Sequence, residues 1–180
     1  MIKGLSPRKA SLDDLDQVAA IEAYSNSPPW SKEAFRADIN KKNIHFLVLT
    51  DDETDEQVYA YIVFSQVAEQ AYIQTFGVRR ESRRQGVAAH FLRQVIHYVH
   101  RLKGESIVLE LRKSNQAALT LYQALGFIII RTVKNQYPDG EDAYSMIYRT
   151  NVLAADGEED EDKDLTEAEE EFHGSKKNLN

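Results

Sequence analysis

The sequence predicts a single mixed α/β domain, in which helices cover a sheet whose strands are joined partly by strand–helix–strand crossovers. Three observations predict this fold. Short apolar runs typical of strands alternate with helical segments in the order strand, two helices, three strands, helix, strand, helix and two strands. The helix after Gly86 carries its apolar residues on one face. With 180 residues, 42% of them hydrophobic, the chain is long enough for one full core and short for two.

The elements of the N-terminal part are predicted from their caps and apolar spacing. Ser11 and Ser31 are the residue type that caps helices, and Asp14 is placed to complete a capping box with Ser11. Between these two helices, residues 25–30 form a loop rich in turn residues. The predicted elements of this part are a strand at 7–10, helices at 11–23 and 32–39, and strands at 44–50 and 57–64.

The C-terminal part alternates more regularly between strand and helix. Gly104 and Gly126 are the residue type that ends helices, so they are predicted to terminate the two long helices of this part. The predicted elements are strands at 71–78, 106–112, 127–133 and 144–148, and helices at 87–102 and 114–125.

The loop at residues 83–88 indicates a binding site for a phosphorylated compound. It joins an apolar strand to the start of the long helix, and it contains Arg83, Arg84 and Gly86. The first backbone N–H groups of a helix have no partner within the helix and form its positive end, so they bind anions readily. Taken alone, the loop also fits an ordinary basic surface turn, because short motifs match by chance.

Three further residues are candidates for chemistry, each with a structural alternative. Glu110 lies in the apolar strand 106–112, which is predicted to be buried on both faces. There it is either a general base or a core carboxylate paired with a cation such as Arg112. Tyr122 is either a core aromatic residue or a proton donor, and Asn115 is a helix-start residue by default. The histidines of the long helix lack the spacing of a zinc motif, so we expect no metal site.

Three motifs, in this order, resemble those of the GNAT (GCN5-related) N-acetyltransferase superfamily. They are R-x-x-G-x-A at residues 83–88, L-E-L-R-x-S-N at 109–115 and A-L-x-L-Y-x-x-L-G-F at 118–127. The similarity covers roughly residues 5–150. Within the superfamily the chain most resembles the ribosomal-protein-alanine (RimI-like) subgroup, through the Pro-Trp-Ser of residues 29–31 and the hairpin that contains Tyr137. The resemblance implies a mostly antiparallel seven-stranded sheet with about four helices, splayed in a V between the fourth and fifth strands.

The resemblance also implies roles for individual residues. Acetyl-CoA would bind in the V, with Glu110 as the base that acts on the acceptor amine and Tyr122 as the acid that protonates the CoA thiolate. Trp30, Glu110 and Tyr137 would lie on the acceptor side. The residues implied in acetyl-CoA binding are Phe76, Gly77, Val78, Arg83, Arg84, Gln85, Gly86, Val87, Ala88, Asn115 and Tyr122.

The function implied is transfer of an acetyl group from acetyl-CoA to a protein N-terminal α-amine, by direct transfer in a ternary complex. The implied acceptor is the N-terminal Ala of a small-subunit ribosomal protein. Two alternatives stay open from the sequence. One is a GNAT enzyme acting on a Lys side chain or a small-molecule amine, and the other is a non-catalytic acyl-CoA-binding regulator. The second needs neither Glu110 nor Tyr122, and both are present.

The net charge of −7 is unevenly distributed. Residues 154–180 contain eleven acidic and three basic residues, which leaves residues 1–153 close to neutral. We therefore expect a domain at 1–153, followed by an acidic, disordered tail at 154–180. The tail is interpreted as a solubilising segment or as an acidic lure for a basic partner. A nearly neutral domain without cysteine, signal peptide or membrane span predicts a cytoplasmic protein that does not bind nucleic acid directly. We expect it to be a monomer.

Overall fold

The structure of the protein is a computed structural model, which describes residues 4–150. Within this range, seven strands form one sheet and four α-helices cover it. The strands are β1 (Leu5–Lys9), β2 (Ile44–Asp51), β3 (Val58–Val67), β4 (Gln70–Val78), β5 (Ser106–Arg112), β6 (Ile128–Val133) and β7 (Ala143–Arg149). The helices are α1 (Leu15–Ser25), α2 (Lys32–Asp38), α3 (Val87–Arg101) and α4 (Gln116–Ala124).

The sheet has the order β1-β2-β3-β4-β5-β7-β6, and every neighbouring pair is antiparallel except β4 and β5. The parallel pair is held together only from Gln70 opposite Ser106 to Ile73 opposite Leu109. Beyond this point the two strands separate, although β4 continues to Val78 and β5 to Arg112. The sheet is therefore splayed into a V between its fourth and fifth strands, as the resemblance implied.

A β-bulge lies where this separation begins. Phe64 of β3 is opposite Ile73, whereas the preceding residue, Val63, is opposite Thr75. Gln74 is consequently the extra residue on β4. Because a bulge increases the local twist and bends its strand, it directs the second half of β4 away from β5.

Two apolar cores lie on the two faces of the sheet. Residues of α3 and α4 pack against one face, and the largest fully buried side chains there include Phe64, Phe91 and Phe127. The smaller core lies under α1 and α2, with Phe35 and Tyr61 at its centre. The apolar residues that the sequence places on one face of α3 are therefore buried in the core. Each helix and strand was predicted within a few residues of its observed bounds.

Two details of the prediction are confirmed or corrected at the residue level. Ser31 caps α2 by accepting from the Ala34 N–H, and the Ser11–Asp14 capping box is present, although a 3₁₀ turn at Leu12–Asp14 precedes α1. The expectation that β5 is buried on both faces is wrong. Its residues alternate, so that Leu109 and Leu111 are buried while Glu110 is partly exposed. Among the described residues, the smaller core under α1 and α2 includes none from β5, which leaves that second face open.

Candidate active site

The loop before α3 has the geometry of an anion cradle. Gly86 has a φ of 84° and precedes Val87, the first residue of α3, so a glycine is needed there to turn the chain into the helix. Arg84 also lies in the left-handed region, with a φ of 63°. The helix α3 has 15 residues and begins directly after this loop. The unpaired N–H groups of its first turn and the positive end of its dipole therefore face the loop.

A cavity of about 460 Å³ opens in the V beside this cradle. Its walls come from the end of β4, the loop at 83–86, the first turn of α3 and one face of α4. Eight of the predicted acetyl-CoA-binding residues line it, namely Phe76, Gly77, Val78, Arg83, Arg84, Gly86, Ala88 and Asn115. Gln85 and Val87 do not: the Gln85 side chain donates to the Glu81 carbonyl, and Val87 is buried in the core.

The two arginines of the loop differ in their contacts. Arg83 donates to the Val78 carbonyl at 3.0 Å and to the Ser25 hydroxyl at 3.0 Å, so it joins the loop to β4 and α1. Arg84 makes no side-chain hydrogen bond or ion pair to residues 4–150. Its guanidinium is therefore the cation of the loop that can bind an incoming phosphate.

A second cavity, of about 770 Å³, adjoins the first on the other side of the V. Ser25 and Asn115 line both cavities, so the two spaces meet between the end of α1 and the start of α4. Trp30, Glu110 and Tyr137, which were predicted on the acceptor side, all line the second cavity. We call it the acceptor cavity.

Asn115 is held at this junction by its role as a helix cap. Its Oδ1 accepts from the Ala118 N–H at 3.1 Å, which confirms the helix-start position expected from the sequence. The side-chain amide nitrogen makes no hydrogen bond to the described residues, and it remains available to a ligand in either cavity.

Glu110 lies in a polar cluster of the acceptor cavity. Gln136 donates a hydrogen bond to its Oε2. The pKa of Tyr72 is raised, first by burial and then by the negative charge of Glu110. Burial also raises the pKa of Tyr137, although the nearby Arg112 partly offsets it. Both phenols therefore keep their protons at neutral pH and can act as hydrogen-bond donors.

Tyr122 is placed differently from Glu110. It is 5% exposed, its ring packs edge-on against Phe127 at 5.3 Å, and it lines neither cavity. Its neighbours Ala118 and Leu121 line the first cavity, so Tyr122 lies directly beneath that wall. Burial raises the pKa of its phenol further above neutral pH. The structure thus brings Glu110 to the site and leaves Tyr122 at its edge.

Comparison with known proteins identifies the family of the chain. Residues 10–127 match the sequence profile of the family described as acetyltransferase (GNAT) family. The match includes the V, the cradle before α3 and all of α4. The chain belongs to the GNAT acetyltransferase family. It is accordingly an N-acetyltransferase that uses acetyl-CoA, and the family and fold predicted from the sequence are confirmed.

Relatives of this acetyltransferase are known in bacteria and archaea. It is 31% identical over 141 residues to the putative ribosomal protein bS18-alanine N-acetyltransferase of Bacillus subtilis, covering 77% of this chain and 91% of that protein. It is 29% identical over 152 residues to the N-alpha-acetyltransferase of Saccharolobus solfataricus, covering 77% and 89%. Its fold matches the crystal structure of the ribosomal-protein-S18-alanine N-acetyltransferase of Escherichia coli with a TM-score of 0.73, at 27% identity and with 81% and 94% of the two chains covered.

Two residues of this acetyltransferase were not recognised as part of the site from the sequence. Arg112 donates to the Ser27 carbonyl at 2.7 Å, and its guanidinium lies 3.8 Å from the ring centre of Tyr137. It also pairs with Asp139 and Glu141 of the hairpin between β6 and β7. Arg112 therefore connects the two walls of the acceptor cavity. Its position in the L-E-L-R motif, next to Glu110, was the sequence feature that could have indicated its place in the site.

The second residue is Glu22, which is 0% exposed yet belongs to the wall of the acceptor cavity. Its carboxylate accepts hydrogen bonds from Tyr61, Thr75, Asn26 and the backbone N–H of Trp30. The apolar stripe of α1 concealed it in the sequence, because a carboxylate beside Ile21 resembles the polar flank of an amphipathic helix.

Within residues 4–150, no three His, Asp or Glu side chains are grouped closely enough to hold a metal ion. None of the helices in this range is long and apolar enough to span a membrane.

Proposed function

We propose that this acetyltransferase transfers an acetyl group from acetyl-CoA to the N-terminal α-amine of a protein, with the N-terminal Ala of a small-subunit ribosomal protein as its acceptor. One observation carries this proposal. Two cavities meet where β4 and β5 separate: one contains the anion cradle, and the other contains a carboxylate, Glu110. This arrangement allows donor and acceptor to approach from opposite sides of the sheet. The names of the relatives at about 30% identity support the choice of acceptor.

The residues present fit acetyl-CoA. Arg84 and the first N–H groups of α3 suit its phosphates, and the small side chain of Ala88 leaves room in the cavity. Beyond Ile73, the edge of β4 that faces β5 has no strand partner, so its backbone can pair with an extended amide-containing arm. A backbone N–H near Val78 would polarise the acetyl carbonyl, as donors in an oxyanion hole do.

Glu110 and Tyr122 would carry out the two proton transfers of the reaction. An α-amine has a reference pKa of about 8 and arrives mostly protonated at neutral pH, so it must lose a proton before it attacks the thioester. Glu110 would accept this proton, directly or through one water molecule. Tyr122 carries a proton at neutral pH, as phenols ordinarily do, and would donate it to the departing CoA thiolate. The chain contains no cysteine, which fits direct transfer without a cysteine-bound acetyl group.

The test is a steady-state assay with acetyl-CoA and two matched peptides. One begins with Ala and contains an internal Lys, and the other has the same sequence with a blocked N-terminus. We expect the first peptide to be acetylated at its α-amine and the second to be inert, with the modified position located by mass spectrometry. Acetylation of the Lys in the blocked peptide would refute the choice of acceptor. Absence of turnover with both peptides, despite acetyl-CoA binding, would refute a peptide as the acceptor.

A further inference from the structure

Glu22 is a fully buried carboxylate without a cation. It accepts hydrogen bonds from the hydroxyl groups of Tyr61 and Thr75, from the Asn26 amide and from the backbone N–H of Trp30. Within residues 4–150 it forms no ion pair. Burying a charge costs free energy unless hydrogen bonds compensate for it, and a plain packing position would be filled more cheaply by an apolar side chain. The position therefore calls for an explanation beyond packing.

The carboxylate determines how the neighbouring amide is oriented. An ionised carboxylate can only accept hydrogen bonds, so Asn26 must turn its NH₂ group toward Glu22. The same nitrogen lies 3.1 Å from the Thr75 hydroxyl and 3.5 Å from the Phe76 carbonyl. The side-chain N–H groups of Asn26 therefore donate to partners within the protein. The carbonyl oxygen, Oδ1, makes no hydrogen bond to the described residues.

Asn26 is half-buried and lines the acceptor cavity, so its Oδ1 is the part of the side chain left for a ligand. A carbonyl oxygen accepts hydrogen bonds and favours a ligand that donates them. An α-ammonium group, with three N–H donors, is such a ligand. A cavity with Oδ1 on one wall and Glu110 on another would hold the amine between two acceptors.

We infer that Glu22 positions the acceptor amine indirectly, by fixing the Asn26 amide so that Oδ1 binds the α-amine of the incoming N-terminus. This inference rests on the proposed function, because it names the group that recognises the amine. Glu22 is a positioning residue, since it has no exposed surface and acts through Asn26. Replacing Glu22 by Gln would introduce a donor, and the Asn26 amide could then turn over and present its NH₂ group to the cavity.

The test measures binding of two peptides to the CoA-bound enzyme by calorimetry. One peptide begins with Ala, and in the other a propanoyl group replaces this Ala, which removes only the amine. We expect the wild-type protein to prefer the amine by about tenfold or more, as a hydrogen bond to a charged group contributes on that scale. In Glu22→Gln the preference should fall by at least about threefold, with CoA affinity unchanged. Glu69→Gln, at an exposed turn between β3 and β4, is the matched control.

If Glu22 had a purely structural role, Glu22→Gln would weaken the binding of both peptides equally. The ratio of the two Kd values would then stay at its wild-type value, and this result would overturn the inference. Asn26→Ala provides a second variant should Glu22→Gln fail to fold, and it should lower the same ratio. If the wild-type protein acetylates the Ala peptide but the ratio is unchanged in both variants, the inference is wrong and the proposed function stands. If the wild-type protein does not acetylate the peptide at all, the proposed function itself fails, and the inference with it.

Discussion

At the scale of single residues, Glu110 and Tyr122 occupy opposite sides of β5. Glu110 lines the acceptor cavity, whereas Tyr122 is buried on the side of α4 and packs against Phe127. A proton acceptor needs contact with the incoming amine, and a proton donor needs only its hydroxyl at the point where the thiolate leaves. The position of Glu110 fits its proposed role, whereas Tyr122 has the stronger structural alternative because its ring is part of the core.

We predict that Glu110→Gln and Tyr122→Phe each lower kcat by about 100-fold or more, since general acid–base groups contribute on that scale. Neither change removes a side chain that lines the first cavity, so the Kd for CoA should stay within about twofold of wild type. Rapid kinetics with the Ala peptide and calorimetry with CoA provide the two measurements. Tyr59→Phe, a half-buried tyrosine outside both cavities, and Glu69→Gln are matched controls. Normal turnover in either site variant would show that the replaced residue does not have the proposed role.

The residues found from the sequence are those that belong to short motifs. The cradle and Glu110 were located because R-x-x-G-x-A and L-E-L-R-x-S-N place their members close together in the chain. Glu22 was missed because its partners Tyr61 and Thr75 lie 39 and 53 residues away. The hydrogen bond by which Arg83 joins the loop to α1 was missed for the same reason, because its partner Ser25 precedes it by 58 residues. Contacts of this range exist only once the sheet has formed.

At the scale of elements, β4 defines the site because it changes partners along its length. Its first half pairs with both β3 and β5, and its second half pairs with β3 alone. The apolar run at residues 71–78 predicted the strand, but the bulge at Gln74 and the end of the parallel pairing depend on register. Register is determined by the neighbouring strands, so the sequence pattern did not predict the bulge, and the splay was expected only through the family resemblance.

Gly77 sets how closely α1 approaches this half of β4. A Cβ atom at this position would lie 2.6 Å from Tyr61 Cε1, 2.9 Å from Ser25 Oγ and 3.0 Å from Ile21 Cγ2. We predict that Gly77→Ala destabilises the protein by about 1–3 kcal/mol, the usual cost of overpacking, because side chains of both α1 and β3 must shift. Urea unfolding measures this change. Val67→Ala, at an exposed strand end, should stay within about 0.5 kcal/mol of wild type. An equally stable Gly77→Ala protein would show that α1 moves freely on β4.

At the scale of the whole molecule, the charge and the catalytic site are separate features of the chain. Both cavities are formed entirely by residues between Glu22 and Pro138. Residues 154–180, in contrast, carry a net charge of −8 and lie outside the described residues. The boundary at 153 and the disorder expected beyond it therefore stay predictions. Composition could suggest this division, but it cannot assign a role to the acidic segment.

We predict that a chain ending at residue 153 acetylates a short Ala peptide with a kcat/KM within about twofold of the full chain, because no residue of either cavity is removed. The comparison should use a neutral peptide and a Lys-rich one, each at low and high salt. Charges separated by more than about 10 Å are largely screened at 0.1 M salt, so an acidic lure would act only at low salt. A solubilising segment predicts equal kinetics for both chains with both peptides. If only the full chain favours the Lys-rich peptide, and only at low salt, the segment recruits basic acceptors and the prediction fails.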